Sequence, residues 1–199
     1  MMRVDPTGMV DLGFWVIGVA LVVGVFALFA YAGNDVLLSD VQGFLANGYL
    51  KNELFMLAAV IYGEGGNECD ALELYAIALT IRNRVNSNDP YNFPEDTYEG
   101  IIKRKNAYQA YEHSNGHYKR AMNYLTGKTI YSGQRDPNAT EKGNMLKCLA
   151  VAIVVYYNGI PDITGGCVFY NGDGWNPGAG FVRWEQPSDW VHKYWYKPA

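Results

Sequence analysis

Apolar residues along this chain fall into one long uncharged run and several shorter stretches with helical spacing. Residues 12–34, "LGFWVIGVALVVGVFALFAYAGN", hold no charged side chain. Crossing a bilayer takes about 20 apolar residues, and a core helix of that length would keep a polar face, which this run lacks. The run therefore predicts a hydrophobic helix that spans a membrane or directs export. Residues 30–33, "AYAG", offer a small-x-small cleavage site, but Arg3 is offset by Asp5 and Asp11, a poor start for a cleaved signal. Residues 1–34 are read as a retained anchor in preference to a signal. Positive-inside preference then places the remainder outside the cytoplasm, facing the periplasm and cell wall from the inner membrane, or secreted if the segment is cut.

Residues 35–52 read as a polar linker or short helix, and residues 53–199 as one domain. Within it, Leu54, Leu57, Ala58 and Ile61 recur at helical spacing over residues 53–62. Gly63, Gly65 and Gly66 then break the pattern. A second helix is expected over residues 69–85, with Leu72, Ala76, Leu79 and Val85 near one face. Residues 86–96 are a loop dense in Asn, Asp and Pro, followed by a short helix over 98–103. Residues 106–117 look irregular, 118–125 helical, and 129–142 a polar loop. Residues 145–157 are strongly apolar, too short to cross a membrane, and predict the core helix. Residues 166–172 have strand character. The tail from Asp173 is rich in Gly, Pro and Trp; four mobile indoles would expose a sizeable apolar patch, so it is expected to fold back and bury at least two of them. No repeats are visible. The domain reads as mainly α, an α+β fold with a small β element, preceded by an N-terminal hydrophobic helix.

Composition narrows the function. The chain has 199 residues, 49% of them apolar, with a net charge of −4. That suits a globular protein with a real core, and without a basic cluster nucleic acid is not an expected partner. The 16 Tyr, 5 Trp and 8 Phe include many after residue 90, in Gly- and Asn-rich context. Flat rings stack on sugar faces while their polar tips keep hydrogen bonding, though cores use the same residues. Cys69, Cys148 and Cys167 have no metal spacing, and their odd number leaves at least one thiol free within the chain. No cofactor or metal is expected.

One carboxyl has a distinctive setting. Glu64 stands between an apolar helical run and a pair of glycines that permit close backbone approach. A carboxyl in such a semi-apolar pocket is hard to ionise, which suits a general acid; the plain alternative is a solvated helix-end charge. Glu68 is either a second carboxylate or an organiser of the turn. Asp70 and Glu73 fall in the first turns of the next helix, where the helix dipole favours them.

The segments "YGEGGNE" (residues 62–68) and "ALTIRNRVNS" (78–87), then "YQAYEH" (108–113) and "NGIPDITGGCVFYN" (158–171), resemble in this order the motifs of the SleB-type, or spore cortex-lytic, cell wall hydrolase family. The resemblance covers about residues 54–172. It departs from the family at Gly65, where an Ala is usual, at Ile163, where a Pro is usual, and at Ala110, where an aromatic follows the Gln. It implies a lysozyme-like, lytic transglycosylase-like fold and cleavage of the MurNAc-β-1,4-GlcNAc bond of peptidoglycan. Glu64 matches the catalytic residue, and Tyr62, Glu68, Asn83, Tyr108, Gln109 and Tyr170 are the candidate substrate contacts. Asn83 is weighed against a plain structural bond, Arg84 is expected in a structural ion pair, and Thr164, Gly165 and Gly166 in a tight turn. "RVDPTGM" (residues 3–9) resembles the junction ahead of variable toxin domains in polymorphic bacterial proteins, which implies descent from a secreted effector.

Two rival readings use other residues. His113 and His117, four apart beside Glu112, outline a metal hydrolase, but Ser114, Asn115 and Gly116 weaken the helix that would align the rings, and no third ligand is evident. A non-catalytic, membrane-anchored peptidoglycan-binding or assembly protein of a secretion system or phage would need the aromatic cleft without the chemistry of Glu64.

Overall fold

The computed structural model describes residues 48–66, 68–87, 89, 91–105, 107–112, 116–128, 135–157, 161–171, 177–188 and 190–196. The expected membrane segment, the "RVDPTGM" stretch and residues 35–47 of the linker lie outside these. No described helix is long and apolar enough to cross a membrane.

The first helix, α1 (Gly48–Gly65), is the axis of the domain. Every residue from 53 to 62 is buried. A helix apolar on all sides needs neighbours on all sides. They are supplied by α2 (Ala71–Val85), α3 (Tyr98–Lys103), α4 (Gln109–Glu112), α5 (Gly116–Thr126) and α6 (Ala139–Tyr156), each of which packs on α1. Its one charged core residue, Glu53, is satisfied at both oxygens. Oε1 accepts the Glu99 N–H at 3.2 Å and Oε2 the Tyr156 hydroxyl at 3.0 Å.

Two boundaries differ from the sequence expectation, each for its own reason. The glycines were expected to break α1 after Tyr62, yet the helix continues through Gly63 and Glu64. Glycine costs a helix interior about 1 kcal/mol, and enclosure by five neighbours outweighs that. Gly63 is also required by packing: a Cβ there would lie 2.6 Å from Ala110 Cβ, so its absence lets α4 lie directly on α1. In turn, α6 starts at Ala139 rather than near Met145, because Asn138 caps it. The Asn138 side chain accepts the Glu141 N–H, and the Glu141 carboxylate accepts the Asn138 N–H, both at 2.9 Å. The segment expected to be irregular contains α4.

In α2, Asp70 caps the N-terminus by accepting the Glu73 N–H at 2.7 Å. Leu72, expected on the buried face, is 58% exposed. Residues 73–82 are buried on every side of the helix, so apolar spacing alone could not tell which edge of the first turn faces water.

The remaining layer is a three-stranded antiparallel sheet in the order β1-β3-β2: β1 (Phe169–Asn171), β3 (Lys193–Tyr196) and β2 (Val182–Arg183). Tyr170 is opposite Tyr194, and both Phe169 and Arg183 are opposite Trp195. The tail thus folds back on the body as its tryptophans suggested. Trp190 and Trp195 are buried, and Trp184 packs 5.8 Å from Trp190. The described residues form a mainly helical α+β domain with a small antiparallel sheet.

Candidate active site

The last turn of α1, the short helix α4, strand β1 and the approach to β3 converge on Glu64. Its Oε1 accepts the Ala110 N–H at 2.8 Å. That N–H is available because α4 is a single turn and its early amides have no intrahelical partner, and it reaches Glu64 because Gly63 permits the contact. Glu64 is half-buried. Burial pushes its carboxyl above the usual range, against opposing pulls from the Ala110 N–H, His192, Tyr170 and Arg84. Its place at a helix C-terminus, the negative end of the dipole, acts in the same direction as burial.

Tyr170 brings β1 to the carboxyl. Its hydroxyl is enclosed, is turned toward Glu64, and makes no well-formed hydrogen bond among the described residues. Burial, and then the charge of Glu64, raise its pKa well above the ordinary phenol value. The hydroxyl therefore stays protonated and remains a donor.

The turn at residues 162–167 holds β1 in place. Asp162 accepts the Thr164 N–H at 2.8 Å and the Gly166 N–H at 3.0 Å. Gly165 and Gly166 both take positive φ, as a tight turn there requires. Asn83 ties this turn to α2, donating to Asp162 Oδ2 at 2.8 Å and to the Cys167 carbonyl at 2.9 Å. Arg84 donates to the Val168 carbonyl at 2.6 Å and spreads its guanidinium over Tyr108, Phe169 and Phe93, at 4.9, 5.2 and 5.6 Å from the ring centres.

On the other side of the turn, Glu73 is buried and turned toward the tail. Its Oε1 accepts the His192 N–H at 2.7 Å and lies 3.0 Å from His192 Nδ1. Burial alone would raise this carboxyl. The side-chain and backbone hydrogen bonds of His192 overcome it, with help from Val191 and Cys69, and hold the group below its usual range. The Cys69 sulfur lies 3.8 Å from the same Nδ1. A nucleophilic Cys-His-Glu triad would place the sulfur and the carboxylate on opposite ring nitrogens; here both face Nδ1. Burial, then the charge of Glu73, also pushes the thiol pKa up, so Cys69 is not an activated nucleophile. The His192 ring meets Tyr170 edge-on at 5.2 Å, which links this cluster to Glu64.

A cavity of about 300 Å³ opens on the far side of Tyr170, with Arg84, Asn92, Phe93, Arg104, Lys105, Phe169 and Asn171 in its wall. Glu64 is not part of that wall. Tyr170 borders both and is the connection between them.

The residues singled out in the sequence separate into three groups. Glu64 and Tyr170 come together. Tyr62 and Tyr108 are core residues, 2% and 3% exposed, so neither presents a face to a substrate. Asn83, half-buried, gives its side-chain amide to the turn at residues 162–167. Gln109 belongs to α4, whose next amide serves Glu64; its side chain lies outside the described residues. Glu68 stands exposed on the turn, and its own N–H, not its carboxylate, makes the bond to Gly65 O at 3.1 Å. Arg84, expected in an ion pair, has a carbonyl and aromatic faces as partners. Glu73, expected as a dipole charge, is a buried partner of the tail. His113 lies outside the described residues, and His117 is exposed with its ring 5.9 Å from Tyr62.

Sequence reasoning missed His192 and the Ala110 N–H. Nothing local marks His192, which meets Glu73 across 119 positions of chain. Compared with known proteins, the chain matches no family model, no curated protein and no solved structure.

Proposed function

We propose that the protein is a membrane-anchored enzyme that cleaves peptidoglycan glycan strands, a lytic transglycosylase with Glu64 as its single acid–base group. The observation that carries this reading is the setting of Glu64: a half-buried carboxyl raised by burial, held through one oxygen by a backbone N–H and faced by an enclosed tyrosine hydroxyl. The resemblance of residues 62–68 and 158–171 to the SleB-type family supports it from the sequence side.

The chemistry follows from having one such carboxyl among the described residues. A hydrolytic glycosidase flanks its bond with two carboxyl groups. Here Glu68 is out in solvent and Glu73 is engaged by His192, so Glu64 must do both jobs. Protonated, it donates to the glycosidic oxygen between MurNAc and GlcNAc. The resulting carboxylate, steadied by the Ala110 N–H and the Tyr170 hydroxyl, takes the proton of the C6 hydroxyl of the same muramic acid. That oxygen closes a 1,6-anhydro ring, and no water enters. The cavity beside Tyr170 joins aromatic and amide surface to Arg104 and Lys105, a composition suited to a sugar that carries acidic stem peptides.

Digestion of purified peptidoglycan, with the new sugar ends identified by mass spectrometry, tests the proposal. Ends in 1,6-anhydromuramic acid are expected. Reducing muramic acid ends would make the enzyme a muramidase that uses water. Tight binding without any cleavage would favour the non-catalytic, wall-binding alternative.

A further inference from the structure

We propose that Cys69, Glu73 and His192 form a binding site for a zinc-class divalent cation. One sulfur, one carboxylate oxygen and one ring nitrogen converge there, the donor set that zinc takes in proteins. Nδ1 is 3.0 Å from Glu73 Oε1 and 3.8 Å from Cys69 Sγ, and all three donor atoms lie within 4.8 Å of one another. Around a tetrahedral ion with bonds of about 2.0–2.3 Å, neighbouring ligand atoms are roughly 3.3–3.7 Å apart. The two edges at Nδ1 bracket that range, and the third is no longer than 4.8 Å, so an ion can draw the three donors onto one coordination sphere.

The surroundings hold the donors in place. Glu73 is fixed on α2 and enclosed. The Cys69 sulfur rests on Gly65, where even a Cβ would come within 2.5 Å of it. The His192 ring is braced by Tyr170, and its backbone N–H is already tied to Glu73. Without an ion the sulfur has a long contact with Nδ1 and a hydrogen bond to the Glu73 carboxylate. With one, the thiolate and the carboxylate contribute two negative charges against two positive, and the half-buried site ends neutral.

Binding is balanced by protons. The Cys69 thiol proton goes to solvent, and the imidazole presents the Nδ1 lone pair while its proton sits on Nε2. Three protein ligands leave a fourth position for water. The ion would cross-link the entry of β3 to the start of α2 and fix the support beneath Tyr170, which faces Glu64. This is independent of whether Glu64 cleaves anything, and its test reads binding, not turnover.

The experiment uses the full-length chain in detergent, stripped with a chelator and titrated with Zn²⁺ and with Co²⁺. One equivalent of Zn²⁺ per chain is expected, with a rise in Tm. Co²⁺ should give a near-ultraviolet thiolate-to-cobalt band, which Cys69→Ser abolishes while the far-ultraviolet circular dichroism is unchanged. His192→Gln should weaken Zn²⁺ binding by more than the roughly 10–100-fold that loss of an outer-shell partner costs. Absence of stoichiometric binding overturns the proposal, and so does binding that survives Cys69→Ser and His192→Gln undiminished. Should His192→Gln unfold, Glu73→Gln replaces it, with the same loss expected and the same unchanged binding overturning the site.

Discussion

The turn between α1 and α2 carries a carboxyl group at each end, and the two are tuned in opposite directions. At the α1 end Glu64 lies under α4 and β1, with one firm hydrogen bond, the Ala110 N–H, and the unfavourable end of a helix dipole. Burial dominates, and the acid form is favoured. At the α2 end Glu73 is also enclosed, yet His192 meets it with both a backbone and a side-chain nitrogen, at the favourable end of a dipole. Partners dominate, and the charged form is favoured. Depth alone therefore does not set the character of a carboxyl; the number of donors aimed at it does. One end of the turn favours a protonated carboxyl, the other holds the tail.

The largest expected effect breaks the α1 end. Glu64→Gln should keep the fold and substrate binding, since the amide is nearly isosteric. It should lower cleavage by at least the roughly 10²–10⁴-fold that general acid–base catalysis supplies, because an amide can neither give nor take the proton. Stability should move the other way. A carboxyl whose folded pKa is raised adds stability fully present below the usual value of 4.5 and lost as pH rises through the folded value. At neutral pH the wild type thus bears the burden of an enclosed charge, and Glu64→Gln should melt at a higher temperature than wild type at pH 7, with the gap closing toward pH 4. Wild-type turnover in this variant would sink the assignment of Glu64.

The mirror experiment is at the α2 end. Glu73 has a folded pKa below its usual value of 4.5, so it adds stability present above that pH and lost as pH falls through the folded value. Glu73→Ala leaves the enclosed nitrogens of His192 without an acceptor, which costs about 1–3 kcal/mol. Melting at pH 7 should show that loss, and the loss should shrink in acid. If Glu64→Gln and Glu73→Ala shift Tm at pH 7 in the same direction, the contrast between the two ends is wrong.

Tyr170→Phe probes the link between the two ends. Its hydroxyl has no well-formed partner among the described residues, so removing it should leave stability within about 0.5 kcal/mol of wild type. If the hydroxyl steadies the Glu64 carboxylate during turnover, cleavage should fall roughly 10–100-fold, in line with the about 1.5–3 kcal/mol of a hydrogen bond to a charged group. The alkaline limb of the pH–rate profile, where Glu64 loses its proton, should also move up, because a donor that favoured the charged form is gone. Unchanged cleavage would make Tyr170 a packing residue.

How much of this was legible in the chain depends on the range of the forces involved. The spacing of Leu54, Leu57, Ala58 and Ile61 revealed α1, and the run at 145–157 revealed α6, because burial of a helix face is written locally. Glu64 was legible because the glycines around it are a local mark of close approach. The exposure of Leu72 was not, since α2 is apolar on nearly every side. Nor were β2 and β3, whose two to four residues are too few to show alternation. Tyr62 and Tyr108 look alike as cleft or core residues in sequence, and only packing placed them inside, while Asn83 is half-buried and tied to its turn. The cluster of Cys69, Glu73 and His192 is a long-range meeting with no local trace.

The smallest effect sharpens the contrast by testing the residue between the two ends. Glu68 is exposed on the turn. A surface carboxylate with water on its open side holds no fixed geometry, so Glu68→Gln should change stability by no more than about 0.5 kcal/mol. For cleavage, the outcome separates two chemistries. A transglycosylase closing its own ring needs no second carboxylate, and Glu68→Gln should then leave both the rate and the 1,6-anhydro ends as in wild type. A water-using muramidase would need a base or a charge stabiliser across the bond from Glu64, and on this turn only Glu68 is free to swing there. Loss of activity in Glu68→Gln at unchanged Tm, together with reducing ends from the wild type, would therefore replace the single-carboxyl mechanism with a paired one. It would also move the functional boundary of the turn four residues toward α2.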